Sequence, residues 1–141
     1  MNEIEILKEI NKDAKTGIDG LNYTMDKVKS NDLKELLFKE MDEYQNIYDR
    51  TKEILNDKKE NLEDTSNFQK AMSWMGIKLN TLTNSSNSKI AEILIQGNDM
   101  GVIKGTKLIN NMKFKNNEIK NLLEDFVRLQ QKNIANLKKF L

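Results

Sequence analysis

Histidine, cysteine and proline are all absent from this chain of 141 residues. Without the first two there is no thiol nucleophile, disulfide framework, zinc finger, thiol-attached haem, serine–histidine triad or imidazole metal ligand. Proline breaks helix interiors and favours turns, so its absence fits helices joined by short loops. No run of about 18 apolar residues occurs, so nothing reads as a membrane span and no membrane insertion is expected. No block of one charge stands out either: 23 basic and 22 acidic residues are interleaved, for a net charge of +1. A phosphate backbone would find no electrostatic footprint, and no nucleic-acid partner is expected. The opening Met1-Asn2-Glu3-Ile4-Glu5 is acidic and amphipathic, unlike a signal peptide, which makes the cytoplasm the expected location.

What is present is the balance of long amphipathic helices. Charged residues make up 32% of the chain and hydrophobic ones 38%, enough for one buried stripe and wide wet faces. The length predicts a single domain over 1–141 that buries a core without disulfides or metals as staples. Ile4, Leu7, Asn11, Ala14, Ile18, Leu21, Met25 and Val28 alternate by threes and fours, a heptad seam on a first helix over about 2–29. Ser30-Asn31-Asp32 supplies cap chemistry for a second helix to about Lys58, with Leu33, Leu37, Met41, Tyr44, Tyr48, Thr51 and Leu55 as its inner stripe. A shorter helix is predicted over about 66–83, with Phe68, Met72, Met75, Leu79 and Leu82 in line. Serines in Asn84-Ser85-Ser86-Asn87-Ser88 then cap a helix running to Asn111 that is apolar on more than one side. The last runs from about Asn116 to Phe140 along Ile119, Leu123, Phe126, Gln130, Asn133, Leu137 and Phe140.

Four of these helices are long, each about 36 to 42 Å at 1.5 Å per residue. The roughly 30 residues between the second and third long helices are too many for a tight turn. They are enough to climb the bundle and start the next helix at the opposite end. The expected fold is therefore all-α: an antiparallel four-helix bundle with a helical crossover between the second and third long helices. The rival is a plain five-helix bundle.

Gln130 and Asn133 occupy successive seam positions in the middle of the last helix, and a buried amide is costly unless hydrogen-bonded. In di-iron bundles the same i, i+3 spacing carries Glu-x-x-His. The stretch Asn133-Ile134-Ala135-Asn136-Leu137-Lys138-Lys139-Phe140-Leu141 resembles the end of a rubrerythrin-type helix, with asparagine in place of the ligand histidine and Gln130 in place of the glutamate. Phe38-Lys39-Glu40-Met41, followed by Gln45 and Tyr48, is similar to the partner helix, with Gln45 and Tyr48 at the other Glu-x-x-His. Ile90 to Gly101 is similar to uncharacterised ferritin-like proteins of low-GC bacteria, some related to spore coats. The resemblance to the ferritin-like superfamily covers most of the chain and implies the crossover bundle. It departs from the family at the metal. Both histidines are missing, both paired glutamates read as glutamine, and Ile18 and Gly97 stand near the levels of the remaining ligands. What it implies here is a metal-free, cofactor-free bundle with a neutral layer of Gln45, Tyr48, Gln130, Asn133 and Asn98. The alternative is that these are ordinary core polar residues that fix register.

Other features weigh against chemistry. Glu40 and Glu43 read as a solvated face rather than the start of a metal site, as do Glu118, Glu124 and Asp125. Gly97, Gly101 and Gly105 lie four apart, and three glycines inside a helix cost on the order of 3 kcal/mol against alanine. Close packing within the bundle offsets that cost, or a second copy does, or the glycines border a groove for an apolar ligand. Trp74 and Ile77 fall off the stripe of the short helix and point to a homodimer contact. The expected role is that of a non-enzymatic structural or interaction protein. The competing expectation is an iron- or manganese-binding member with an atypical site.

Overall fold

A computed structural model of the chain describes residues 1–61, 78 and 86–141. Among them are four long helices and no strand: α1 Glu3–Met25, α2 Asn31–Asp57, α3 Asn87–Asn111 and α4 Asn117–Leu137, the last followed by a 3₁₀ turn over Lys138–Phe140. Each begins on a side chain able to take an orphan backbone N–H. Asn2 and Glu5 form a reciprocal capping box, Ser30 accepts from Leu33 N, Ser86 from Lys89 N, and Asn116 from Glu118 N and Ile119 N. The second helix stops in a Schellman turn. Lys59 takes a left-handed backbone at φ 56, Lys59 N donates to Asn56 O at 3.0 Å, and Glu60 N donates to Leu55 O at 2.9 Å. The short helix expected over 66–83, with Phe68, Met72, Trp74, Met75 and Ile77, lies outside the described residues, and so does the homodimer contact argued from it.

Leu7, Leu33, Leu37, Leu55, Ile90, Ile119, Leu122, Leu123 and Leu137 are under 2% exposed and form one continuous core. The buried stripes are wider than a heptad seam. On α1, Ile6, Ile10 and Thr24 are buried, while the seam residues Ile4, Ile18 and Met25 are only partly so. A helix packed against two neighbours buries a stripe of about 100° or more rather than a single line. On α2 the interior takes Glu40, Tyr44 and Ile47, and Met41 and Tyr48 are displaced to its flank.

The four helices associate as two close pairs, α1 with α2 and α3 with α4. Within the first, Asn11 Nδ2 donates to Thr51 Oγ1 at 2.9 Å, and Gly17 faces the ring of Tyr44. Within the second, Asn133 meets Asn98, Gln130 meets Gly101 and Val127 meets Gly105. The fourth helix also packs on α1 and α2. Ion pairs run from Arg50 to Asp125 at 3.1 Å and from Lys132 to Glu43 at 2.8 Å. At the foot of the molecule Glu3 Oε1 accepts from the backbone N–H groups of Lys115 and Asn116. The third helix makes fewer close backbone approaches to α1 and α2, and the space left there holds the features described next.

Candidate functional site

Tyr44 is the largest side chain in that space. Its ring stands edge-on to Phe126, with centroids 6.1 Å apart, and a Cβ added to Gly17 would come within 3.0 Å of it. The hydroxyl donates to Asn98 Oδ1 at 2.9 Å. The other half of the Asn98 amide, Nδ2, donates to Leu94 O at 2.8 Å, and Asn133 Nδ2 approaches the shared Oδ1 at 3.4 Å. One acceptor thus joins α2, α3 and α4. Burial, together with the nearby Glu40 carboxyl, pushes the Tyr44 phenol well above its ordinary range, so it stays a proton donor.

Beside this layer lies a pocket of about 260 Å³. Asp13, Thr16, Gly17 and Leu21 come from α1, and Glu40 and Tyr44 from α2. The third helix supplies Leu94, Gly97, Asn98, Met100, Gly101 and Lys104, and α4 supplies Gln130. At its edge Lys104 Nζ clamps α3 to α1 through Glu9 Oε2 at 2.6 Å and Asp13 Oδ2 at 3.0 Å. Burial works against the charge on Lys104, but the two carboxylates outweigh it and raise its pKa. Asp13 is pushed up by burial despite that lysine.

Glu40 is the anomaly of the site. It is 2% exposed, and its Oε1 is buried with no hydrogen-bond partner among the described residues. Burial first, and then the neighbouring Glu43, push its carboxyl up to about 8, against a smaller opposing pull from Lys132. At neutral pH it is mainly a neutral acid. Asn133 Oδ1 is the other buried acceptor that has no partner among the described residues. An unsatisfied buried polar atom costs about 1 to 3 kcal/mol.

The residues expected to form a neutral layer are only partly brought together. Gln130 and Asn133 are buried, at 6% and 0% exposure, and Asn98 lies beside Asn133. Gln45 does not belong to the layer: it is exposed and donates to Asp49 Oδ1 at 2.9 Å on the outer face. Tyr48 is half-buried at the edge of the core, where its carbonyl accepts from Thr51 Oγ1. The places assigned to them belong to Glu40 and Tyr44. One residue along a helix is a rotation of about 100°, which carries Gln45 out as Tyr44 turns in. Reading Glu40 with Glu43 as a solvated face is corrected in the same way. Glu43 sits at the surface on Lys132, whereas Glu40, three after Leu37 and four before Tyr44, follows the interior spacing. Among the other acids, Asp125 pairs with Arg50 and Arg128, and Glu124 faces Lys120 at 3.9 Å. Among the described residues no three acidic side chains group so as to hold a metal ion.

The three glycines of α3 are not equivalent. At Gly105 a Cβ would sit 2.5 Å from Val127 Cγ2, and at Gly101 it would overlap the amide of Gln130. Gly97, expected to be close-packed, is not: a Cβ there meets nothing within 4 Å, because the position borders the pocket.

Comparison with protein-family models, with curated proteins and with solved structures finds no match to this chain.

Two outcomes follow from this geometry. Gly105→Ala forces a methyl against a branched buried side chain and should lower stability by about 1 to 3 kcal/mol. Gly97→Ala should hold or raise it by up to about 1 kcal/mol through helix propensity alone. Urea unfolding of both variants separates them. The second outcome concerns pH. Between about 4.5 and 8 the folded state keeps a proton on Glu40 that the unfolded state has released, so stability falls as pH rises through that window and levels above it. The size is roughly 3 to 5 kcal/mol. Asp13 acts in the same sense from a lower starting value. Glu40→Gln should flatten the decline and be the more stable protein at pH 8.5, as read by urea midpoints from pH 5 to 8.5.

Proposed function

We propose that this chain is a non-enzymatic binding protein that holds a small, largely apolar molecule in the pocket between α1, α2 and α3, on an antiparallel bundle of the ferritin-like type. The observation that carries the binding reading is the pocket bordered by Gly97, a helix-interior glycine with open space where a side chain would stand. Its roughly 260 Å³ exceeds the approximately 150 Å³ that suffices for benzene in a dry apolar cavity. Leu21, Leu94, Met100 and the faces of Tyr44 and the glycines supply apolar wall, and a few polar groups stand at fixed points, the usual composition of a ligand site.

The topology is supported by contact directions. The α1–α2 and α3–α4 contacts run in opposite senses, as do the pairs Arg50–Asp125 and Glu43–Lys132 between α2 and α4. Lys104 reaches Glu9 and Asp13 while Leu21 and Leu94 share the pocket, so α3 also runs opposite to α1. Hence α2 and α3 point the same way, and the chain leaves α2 at one end of the bundle and enters α3 at the other. That is the single-crossover order.

The donor set argues against the metal-binding alternative. Where a ferritin-like di-metal centre needs carboxylates and imidazoles, this chain has the amides of Gln130, Asn98 and Asn133, poor ligands for iron. Its two pocket acids are a neutral Glu40 and an Asp13 held by Lys104. The non-enzymatic reading rests on the same groups. Lys104 is engaged by two carboxylates, and Tyr44 commits its proton to Asn98.

The test uses 2-phenylethanol as a neutral probe of matching size. It should bind saturably and raise the melting temperature in proportion to occupancy. Gly97→Leu, which fills open space, should keep the fold and abolish the effect. No saturable binding to the wild-type protein, or equal binding to Gly97→Leu, overturns the reading.

A further inference from the structure

We infer that the ligand of this pocket carries a protonated amine, and that Glu40 is the residue that receives it. The inference rests on the binding reading above and adds the chemistry of the ligand's polar end. Three ionisable side chains line the pocket with Tyr44: Asp13, Glu40 and Lys104. The one cation among them is already taken, since Lys104 lies within 3.0 Å of both Glu9 and Asp13. An incoming carboxylate would meet the charged Asp13 in the wall and a lysine already paired with two carboxylates. An incoming alcohol would satisfy Glu40 Oε1 but leave the carboxyl neutral. An ammonium group supplies several N–H donors to a buried carboxyl whose Oε1 has no partner among the described residues.

The groups facing Glu40 make the exchange feasible. Burial disfavours a negative charge on Glu40 most, Glu43 on its own helix disfavours it further, and Lys132 on α4 opposes them; Asp13 on α1 lines the same pocket. An ammonium inside the pocket reverses that balance. The amine arrives as R–NH₃⁺, Glu40 goes from carboxylic acid to carboxylate, and its proton leaves to solvent. No covalent bond forms to the ligand. Binding near neutral pH therefore releases up to one proton per amine, a signature that a purely apolar ligand lacks.

Calorimetry at pH 7 with 2-phenylethylamine, 2-phenylethanol and 3-phenylpropionate, repeated in two buffers of different ionisation enthalpy, tests the assignment. The amine should bind about tenfold or more tighter than the alcohol, the carboxylate should bind weakest, and only the amine should release protons. Glu40→Gln should bring the amine down to the alcohol's affinity and remove proton release, while leaving the alcohol within about threefold of its wild-type affinity. The proton count on the wild-type protein stands independently of how well the variant folds. If the alcohol or the carboxylate binds as tightly as the amine, or the amine binds without proton release, the assignment of Glu40 falls and the pocket remains. If none of the three binds, the pocket reading falls with it.

Discussion

The Tyr44 hydroxyl donates to Asn98 Oδ1 at 2.9 Å, a buried side-chain hydrogen bond that runs from the α1–α2 pair to the α3–α4 pair. Its consequences spread through the middle of the bundle. To reach Asn98 the ring must cross the face of α1, and Gly17 provides the room. The Asn98 amide must turn Oδ1 toward α2, and it does so because Nδ2 is held by Leu94 O one turn back. With an aromatic ring between them, α2 and α3 cannot close to the distance at which Leu and Ile would interdigitate. Lys104, reaching to Glu9 and Asp13, spans the parallel gap to α1. The pocket is the volume these spacers leave.

Polar groups inside this volume are a burden that a bundle of its size does not need for folding. The core leucines and isoleucines already form a continuous cluster along all four helices. Among the described residues, Glu40 and Asn133 each hold a buried oxygen without a partner, and Gly97 gives up helix propensity without packing in return. Sites where local rules are broken while the surroundings obey them are where function is expected to lie. Glu40 and Gly97 line the pocket and Asn133 lies beside it, a concentration that the proposed ligand would account for.

Much of this was legible in the residues. The cap residues in Ser30-Asn31-Asp32 and Asn84-Ser85-Ser86-Asn87-Ser88 marked two helix starts to within one residue, since a side chain that takes an orphan N–H acts locally and needs no tertiary partner. Gln130 and Asn133 stood out as amides on an otherwise apolar seam, and both are buried. Gln45 was misplaced because a motif carried over from a resemblance brings a rotational register with it, and an offset of one residue exchanges interior for surface; Glu40 was misplaced because a carboxylate beside Glu43 reads as surface until its spacing is weighed. The i, i+3, i+4 spacing of Leu37, Glu40 and Tyr44 carried the correct register. Gly97, Gly101 and Gly105 form a regular series in sequence and three different environments in space, because what each faces is set by α1, α2 and α4 rather than by α3. The pocket itself had no sequence signal beyond that series; it exists only where three helices fail to meet.

Coupling between Tyr44 and Asn98 is the most direct measure of whether the layer holds the two helix pairs in register. Stability of Tyr44→Phe, Asn98→Ala and the double variant, from urea unfolding under two-state conditions, gives the interaction energy. Tyr44→Phe keeps the ring and removes only the donor. The double variant should be less destabilised than the sum of the singles, with a coupling of about 1 kcal/mol or more. Single effects that add to within about 0.3 kcal/mol would mean the hydroxyl and the amide act independently, and would contradict the account of the bundle's centre.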